Sequence, residues 1–478
     1  MSQAQIEMPD APASWTRYAG WVLALVVPFM VYFGLLDLGL KPNSAVFAAI
    51  VSLPIVMWPF GILPDFVPGL LAVVLILLVG AAPSEVVLSG FASNGFLMII
   101  AILGLGALIR TSGLVDRLAN WMINGLPGNV MAYSGALLVG GLVLTPFLPS
   151  PAGRLAVTAP LVKQLKAKIG GQVAPKGRTL IFQAGLDGVT LLTAAFLTAA
   201  PVNLIIFSLL PQQERVAFQF VDWILASALA AGILVAGYVV LACLLAFDAT
   251  RIERGKPEGE TEQKSDISDK LSRREWGAII GILSLGIGVL TTPFHLIPTP
   301  VLAFLIFALL FAVEIMDQPD FVAEIDWAFI FLLGALVGLT NTMSHLGITD
   351  QLVTQAQWLG DILRDDFRMF VLIVAGVIVV VRLVVPQTAT TLVLVAALLP
   401  LAEAVGVTAW VVGFTILIMT DSVIFDYQSP MHRTYRKNTG VGSGIDNWRV
   451  IAMRIGMIGV RVGAIIISIP YWESLGIL

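Results

Sequence analysis

Long apolar stretches without a charged residue dominate the chain. Seven of them are long enough to cross a bilayer: Tyr18–Leu36, Pro42–Pro64, Phe66–Ser84, Val86–Ile109, Gly188–Gln213, Trp223–Phe247 and Trp327–Thr349. About 20 apolar residues in a helix span a hydrocarbon core roughly 30 Å thick. An outer-membrane barrel would instead show short segments of alternating hydrophobicity. The pattern therefore predicts an all-α polytopic membrane protein.

One apolar run, Gly135–Leu161, is interrupted near its middle by Pro149-Ser150-Pro151 and by the charge of Arg154. Irregular backbone and charged side chains are tolerated at bilayer depth only where they pack in protein or line a cavity. We interpret residues 130–166 as a re-entrant hairpin with arms Val130–Phe147 and Gly153–Lys166. Its tip is predicted to contact solute.

The distribution of basic residues predicts an orientation. At the end of the hairpin and directly after it come five basic residues with no acidic residue among them: Lys163, Lys166, Lys168, Lys176 and Arg178. Basic residues favour the cytoplasmic side, so the hairpin is expected to enter from the cytoplasm. We predict a cytoplasmic N-terminus, an outside C-terminus and residence in the inner (plasma) membrane. The polar stretch 248–275 is predicted to be a flexible cytoplasmic linker between two halves.

The second half repeats features of the first. Gly113–Leu118 matches Gly347–Leu352, and 347 − 113 gives an offset of 234 residues. A proline-broken apolar segment follows each copy, at 149–151 and at 385–391. Paired broken segments of this kind indicate a transporter built from repeats.

Counting the spans gives an odd number per half, so the second copy is predicted to be inverted. We expect 11 transmembrane helices plus two re-entrant hairpins. The predicted parts are an N-terminal segment with the first helix (1–41), a first repeat (42–247) and a second repeat (276–478). The second repeat contains an outer-side hairpin at 367–405.

Composition narrows the function classes. The chain is 58% hydrophobic and 12% charged, with a net charge of −4, whereas a soluble domain averages about 25% charged residues. This balance argues against a nucleic-acid partner. The single cysteine, Cys243, can form no intramolecular disulfide. No HExxH, GxSxG or paired-aspartate motif points to an enzyme, and no cofactor is expected. A channel is a further alternative, which two broken hairpins disfavour.

At the hairpin tips the chain resembles the divalent anion–sodium symporter family, which belongs to a superfamily of elevator-type carriers. Members carry Ser-Asn-Thr at each tip and Pro ten residues later. Here Pro160 lies ten residues after the start of Ser150-Pro151-Ala152, whereas Pro400 lies fourteen residues after the start of Pro386-Gln387-Thr388, one helical turn further than in the family. Some carboxylate-transporting members read Ser-Asn-Thr-Ala-Arg, which places Arg154 on that arginine. A Thr-Pro-Pro-Asn-like break is matched by Ala200–Asn203 and by Ser429–His432.

The resemblance implies a secondary active transporter of a small anion (a di- or tricarboxylate, sulfate or a sulfonate) with sodium as the coupling ion, and a homodimer with an elevator mechanism. A proton-coupled or exchange-type carrier is the alternative, because Pro151 and Gln387 replace the family's asparagines. The predicted substrate-binding residues are Ser150, Pro151, Ala152, Gly153, Arg154, Gln387, Thr388, Ser429 and Pro430. The predicted cation-binding residues are Ser150, Thr198, Asn203, Gln387, Thr390 and Gln428, and no metal other than sodium is expected.

The physical basis for anion binding is the helix N-terminus, whose free N–H groups attract negative charge. Ser150 and Thr388 are predicted to cap the two half-helices. Arg154 is predicted either to grip an anionic group bidentately or to pair with a carboxylate such as Asp187 or Asp421. Arg382 is predicted either to face the substrate cavity or to pair with a carboxylate or extend toward the outer face.

Three carboxylates at predicted membrane depth, Asp187, Asp421 and Asp426, have two interpretations. They are proton carriers, or they form salt bridges to buried arginines. Arg454 and Arg461 are predicted to belong to an amphipathic segment with no role in transport.

Overall fold

The computed structural model describes residues 14–37, 41–114, 117, 129–169, 174–246, 270–295, 297–348, 354, 357–439 and 444–478. Within these ranges every regular element is helical and no strand occurs, which confirms the predicted all-α class. Most of the predicted linker (247–269), the first 13 residues and the remainder of the Gly113–Leu118 and Gly347–Leu352 motifs (115–116, 118, 349–352) lie outside the described residues.

The helices of the first half begin and end as follows: α1 Ser14–Asp37, α2 Pro42–Phe60, α3 Phe66–Val79, α4 Ser84–Val87, α5 Asn94–Thr111, α6 Val130–Leu144, α7 Pro151–Ile169, α8 Pro175–Thr190, α9 Pro201–Leu209, α10 Gln212–Ala217 and α11 Phe220–Ala246. Two 3₁₀ turns, Ser89–Ala92 and Thr193–Ala195, lie between them.

The helices of the second half are α12 Arg273–Leu290, α13 Thr292–His295, α14 Thr299–Ala312, α15 Gln318–Glu324, α16 Trp327–His345, α17 Gln357–Asp365, α18 Phe367–Arg382, α19 Gln387–Val405, α20 Ala409–Thr420, α21 Pro430–Thr439 and α22 Asn447–Ser474. A 3₁₀ turn at Asp426–Gln428 precedes α21.

Six of the described helices are long and apolar enough to cross a membrane by length and composition. Five further apolar helices have only 10–17 residues. At 1.5 Å per residue such helices are shorter than a hydrocarbon core of about 30 Å. The short helices include α6, an arm of the first hairpin, and α20, which precedes a break in the backbone.

Two predicted spans are bounded differently in the structure. The predicted span Val86–Ile109 begins only at Asn94, because serines at the preceding turn satisfy backbone groups outside a continuous helix. The Ser89 hydroxyl donates to the Val86 carbonyl at 2.7 Å, and Ser93 Oγ accepts from the Phe96 N–H at 3.2 Å. The predicted span Phe66–Ser84 ends at Val79, where Gly80 adopts a left-handed φ of 69°.

Two helices begin earlier in the chain than the pattern of charged residues predicted. The predicted span Gly188–Gln213 is preceded by α8, which starts at Pro175 and carries Asp187 within a largely buried helix. The last three residues of the predicted linker form the first turn of α12. That turn is fixed by a capping box in which Ser272 and Glu275 each bind the other's backbone N–H.

Contacts divide the chain into two compact units, which interleave the two halves of the sequence. Unit 1 consists of Met1–Phe96 and Trp327–Val412, and unit 2 of Leu97–Asp326 and Gly413–Leu478. The helical hairpin α18–α19 belongs to unit 1 and the helical hairpin α6–α7 belongs to unit 2. Each unit therefore contains one of the two predicted re-entrant hairpins.

In unit 1, α16 packs against α3, α4 and the 3₁₀ turn that follows α4. The contact is close because Gly90 lies against the backbone of Gly334 and Gly338, where a Cβ would collide. An apolar core that includes Phe47, Ile76 and other buried side chains surrounds this contact. Small residues thus allow helix backbones to approach each other directly.

In unit 2, α8 lies at the centre and packs against α6, α7, α11 and α22. Its crossing with α6 is a backbone contact at Gly141 and Gly188. A Cβ on Gly141 would lie 2.7 Å from both the Gly188 carbonyl oxygen and the Val189 nitrogen. α11 and α22 form the other extensive helix pair of this unit.

The glycines of the repeated motif have the same conformation in both halves. Gly113 follows α5 with φ 86°, and Gly347 follows α16 with φ 68°. Left-handed glycines of this kind commonly terminate helices. Gly113 and Gly347, which are 234 residues apart, therefore both terminate the helix that precedes them.

Substituting Gly141 with Ala is expected to destabilise unit 2, since the new methyl group must displace backbone atoms of α8. Overpacking of this kind costs about 1–3 kcal/mol. Gly135→Ala on the same helix is the matched control, because a Cβ there meets nothing within 4 Å. The control should match or slightly exceed wild type in helix stability, by up to about 1 kcal/mol. Melting curves of the detergent-solubilised proteins measure the difference, and equal melting temperatures would contradict the close crossing.

Candidate functional site

The tip of the first hairpin is a short non-helical segment between α6 and α7. Ser150 caps α7 as predicted, with its Oγ accepting from the Gly153 N–H at 3.2 Å. Pro151 is the first helical residue, where its missing N–H is harmless. Ala152 is exposed, and Gly153 is partly buried. The N-terminus of α7 therefore begins at the tip, in the manner that anion recognition requires.

α5 positions this tip through two residues that are four apart on one helix face. Gly106 leaves space for the ring of Pro149, which a Cβ would strike. Arg110 lies beside Gly153, so that a Cβ built on that glycine would be 3.4 Å from Arg110 Nη1. Arg110 is partly exposed. Sequence reasoning missed Arg110, although its position in the last turn of an apolar helix was a usable signal.

Arg154 lies wholly inside unit 2, with no exposed surface. Its Nε donates to the Val189 carbonyl at 2.8 Å. Nη1 donates to the carbonyls of Leu148 at 2.6 Å and Ala199 at 2.7 Å, with a longer contact to Thr145 at 3.4 Å. Nη2 donates to Thr193 Oγ1 at 3.0 Å.

These partners join three separate segments. Leu148 belongs to the tip, Val189 to the end of α8, and Thr193 and Ala199 to the break between α8 and α9. Arg154 therefore holds the tip against the broken helix through five oxygen atoms. In the described residues its hydrogen bonds go to carbonyls and one hydroxyl rather than to Asp187 or Asp421. Its predicted contact with substrate stays a prediction.

Other side chains also donate hydrogen bonds to the backbone carbonyls of this break. Asn203 Nδ2 donates to the carbonyls of Thr193 at 2.7 Å and Phe196 at 2.8 Å. Trp223 Nε1 donates to the Ala194 carbonyl at 2.9 Å. The Thr198 hydroxyl donates across to the Pro146 carbonyl at 3.0 Å. Two predicted cation ligands, Thr198 and Asn203, therefore lie beside the first tip and fasten the break.

The second tip, in unit 1, starts its helix differently. Pro386 occupies the cap position of α19 without a side-chain cap, and Gln387 is the first helical residue. The prediction that Thr388 caps this helix is wrong, because the fixed φ of Pro386 takes the cap position and leaves Thr388 one residue inside. The Thr390 hydroxyl donates to the Pro386 carbonyl at 3.0 Å within the first turn.

Arg382 occupies a position at the second tip that parallels that of Arg154 at the first. It is 2% exposed, and its Nη1 donates to the tip carbonyl of Val385 at 3.0 Å. Each hairpin tip thus binds a buried guanidinium through one of its own carbonyls. The guanidinium comes from the second arm in one hairpin and from the first arm in the other.

A second break, 421–429, follows α20 in unit 2. Gln428 Oε1 accepts from the N–H groups of Ile424 at 2.7 Å and Phe425 at 2.6 Å. Ser429 Oγ accepts from the His432 N–H at 3.4 Å and so caps α21, which begins at Pro430. The predicted residues Gln428, Ser429 and Pro430 therefore form the end of this break.

Two arginines of α22 hold the second break. Arg461 binds Asp421 at 2.9 Å and the Ile418 carbonyl at 2.7 Å. Arg454 binds Asp426 at 2.8 Å and the Ile424 carbonyl at 3.2 Å. The prediction that both arginines lie on an amphipathic segment is wrong, since they are 7% and 8% exposed and face protein. Their spacing of seven, which keeps them on one helix face, was the signal.

The predicted site residues fall in both units. Unit 1 contains Gln387, Thr388 and Thr390. Unit 2 contains Ser150, Pro151, Ala152, Gly153, Arg154, Thr198, Asn203, Gln428, Ser429 and Pro430. Within unit 2, hydrogen bonds bring together the first tip and the first break. Among the described residues no group of three His, Cys, Asp or Glu side chains could hold a metal ion.

Broken helices and proline-started half-helices within an apolar helical protein define a membrane transporter architecture. A family model for the sodium:sulfate symporter transmembrane region matches residues 15–478. The chain belongs to this family, which confirms the resemblance to divalent anion–sodium symporters.

Two curated relatives match part of the chain. Dicarboxylate transporter 2, chloroplastic, of Spinacia oleracea is 23% identical over 264 residues, which is 53% of this chain and 46% of that protein. YflS of Bacillus subtilis (strain 168), which is named for malate transport, is 25% identical over 212 residues, 43% of this chain and 44% of that protein. The chain thus matches just under half the length of these relatives.

Among solved structures, the Alcanivorax borkumensis YdaH transporter has a similar fold. It superposes with a TM-score of 0.51 at 14% identity, and the match covers 82% of this chain and 88% of that chain. At this identity the likeness concerns the fold alone.

Replacing Arg154 with Lys is expected to destabilise the protein strongly. An ammonium group is a point charge that cannot reproduce the planar fork, and each buried carbonyl left unsatisfied costs about 1–3 kcal/mol. Arg364→Lys is the control, because that side chain is 56% exposed and surface pairs contribute little. The melting temperature of purified protein should fall for the first variant and stay constant for the second. Equal melting temperatures would contradict the role of Arg154 as a clamp.

Proposed function

We propose that the chain is a secondary active transporter of a small dianion, with dicarboxylates as the first candidates and sulfate as the next. The observation that carries the proposal is the first hairpin tip, where a half-helix starts beside a partly exposed arginine in a chain of this family. A helix N-terminus and a guanidinium both bind carboxylate or sulfate oxygens. The names of the two relatives favour a dicarboxylate.

We further propose that the two halves are inverted repeats and that transport follows an elevator mechanism. The order of elements supports the repeat. In each half a hairpin is followed by a helix, a break with a 3₁₀ turn, and a half-helix that starts at a proline, Pro201 or Pro430. The homodimer and the orientation of the termini stay predictions from the resemblance and from the basic residues.

Sodium is the proposed coupling ion, because the family description names it and because unwound helices offer carbonyl oxygens to cations. The predicted ligands are Ser150, Thr198 and Asn203 at the first tip, and Gln387, Thr390 and Gln428 elsewhere. Asn203 Oδ1 is buried without a hydrogen-bond partner in the described residues. It is the ligand atom that is most available to a cation.

A second candidate, an exchange-type or proton-coupled carrier, is favoured by Arg154. Its guanidinium is surrounded by four carbonyl oxygens and one hydroxyl oxygen, the kind of ligand set that sodium takes from unwound backbone. The five oxygen atoms beside the first tip are therefore already bound to a permanent cation, the Arg154 guanidinium. A carrier built in this way does not need a sodium ion at that position.

Uptake by the purified full-length carrier in proteoliposomes tests the function. We expect saturable uptake of labelled malate or succinate that unlabelled dianions inhibit and monocarboxylates do not. Replacing external sodium with choline abolishes uptake by a sodium-coupled carrier. An exchanger instead requires a dianion inside the vesicles and is indifferent to that replacement. Absence of uptake and exchange for every dianion tested would contradict the proposal.

We expect Arg110→Gln to impair transport. Arg110 lies beside Gly153 and is partly exposed, so its charge is positioned to attract an anion at the tip. Loss of one charge-assisted hydrogen bond should raise KM about 10-fold, which corresponds to about 1.4 kcal/mol. Arg364→Gln, a surface change, is the control for lost positive charge. An unchanged KM in Arg110→Gln would remove this residue from the site.

A further inference from the structure

The three aspartates predicted at membrane depth all lie in unit 2, and their partners differ in kind. Asp421 binds Arg461, and Asp426 binds both Arg454 and Arg436. Asp187, in α8, has a neutral partner instead: Gln183 Nε2 donates to Asp187 Oδ2 at 3.0 Å. In the described residues Asp187 forms no ion pair.

The chemistry of these partners separates the three carboxylates. A guanidinium has only donors, so it stabilises an ionised carboxylate and offers no acceptor for the O–H of a protonated one. A side-chain amide carries both a donor and an acceptor. Gln183 therefore serves both states of Asp187. Its NH₂ group donates to the carboxylate, and after a half-turn of the amide its Oε1 accepts from the O–H of the acid.

The surroundings of Gln183 fit this dual role. Gln183 is 2% exposed, and its Oε1 is buried without a hydrogen-bond partner in the described part of the chain. A buried acceptor without a hydrogen bond destabilises the fold, so a state in which a donor reaches it is favoured. The O–H of a protonated Asp187 is a donor that can reach this oxygen once the amide turns.

A cleft that is open to solvent reaches Gln183 of this pair. It lies between α8, α11 and α22. Lys176 and Arg449 line it, together with apolar side chains such as Leu245, and Gln183 is also part of its wall. Asp187, one helical turn from Gln183, is itself only partly buried.

Charged and titratable groups act on Asp187 from the packed elements. Arg454 and Arg461 of α22 and the nearby Asp421 influence it electrostatically. Asp187 in turn acts on Tyr238 of α11 and Tyr435 of α21. Both tyrosine hydroxyls are buried without a partner in the described residues.

The two hairpin arms that pack on α8 complete this environment. α7 contributes Arg154, which binds the Val189 carbonyl two residues beyond Asp187, while its Lys163 is exposed. α6 contains no charged residue. Asp187 therefore lies among polar groups without an ion-pair partner of its own.

We propose that Asp187 is a proton-binding site of the carrier, that water in the cleft supplies the proton, and that Gln183 is the positioning residue for both protonation states. This inference rests on the proposed function and specifies its proton-coupled form. A hydronium ion in the cleft transfers its proton to Asp187 Oδ2 and leaves as water, and the carboxylate becomes a neutral acid. The charge of the surrounding cluster rises by one, and release of the proton reverses the change.

The test uses the full-length carrier and two readouts. Infrared titration of wild type reconstituted in lipid should show the C=O band of a protonated carboxyl group that appears as the pH falls. Asp187→Asn should lose this band, since its amide keeps the shape and the hydrogen-bond acceptor but cannot ionise. Asp222→Asn is the matched control, because Asp222 is an exposed carboxylate at the start of α11. It should keep the band.

The second readout is proton movement during dianion transport, followed with a dye inside the vesicles. Wild type should acidify the lumen as substrate enters. Asp187→Asn should lose this proton flux, and Asp187→Glu should restore it. An infrared band that is absent in wild type or unchanged in Asp187→Asn overturns the proposal, as does proton flux that survives this substitution. Failure of the proposed function is distinguishable from failure of this inference. In the first case wild type would move no dianion, while the infrared titration would still show whether Asp187 binds a proton.

Discussion

The structure depends on how broken helices satisfy their carbonyl groups where water is scarce. Inside a bilayer each unsatisfied backbone group costs several kcal/mol. Four buried arginines meet this need: Arg154, Arg382, Arg454 and Arg461. Each donates to at least one carbonyl at or beside a break or a tip, namely those of Leu148, Val385, Ile424 and Ile418 for the four in turn. Burying these charges is tolerable because the broken backbone offers oxygen atoms that would otherwise be unpaired.

Close contacts between helices at glycine residues are the second feature that stabilises the structure. α8 is crossed by α6 at Gly188 and Gly141, where the backbones nearly touch. The hydroxyl of Tyr435 lies directly over Gly185 on the same helix, and its ring packs against Phe182 with centroids 5.1 Å apart. Van der Waals packing of small residues drives helix association where lipid removes the hydrophobic effect. The helix that carries Asp187 is thereby enclosed on several sides.

Much of this architecture was predictable from the sequence, because proline marks positions where a helix must start. Pro151, Pro201 and Pro430 each begin a half-helix, and the arms of both hairpins follow the apolar pattern. The start of α5 was not predictable from charge, since uncharged Ser89 and Ser93 interrupt the helix by binding backbone groups. The carbonyl partners of Arg154 and Arg454 were not predictable. A sequence shows that a charge is buried, but only the folded chain shows which carbonyls lie within reach of it.

The nature of the buried cations bears on how transport is driven. A sodium ion that binds from solution contributes free energy each time it arrives, and the carrier can couple that energy to substrate. A guanidinium on the chain attracts the same oxygen atoms permanently. It therefore stabilises the tip but supplies no free energy to the transport cycle. If the Arg154 guanidinium takes the place of a sodium ion at the first break, as the exchange-type or proton-coupled form of the proposal has it, transport is driven by a group that changes its proton count or by an exchanged anion. Among the three aspartates, only one bound by a neutral amide can change its charge without breaking an ion pair, and Asp187 meets that condition.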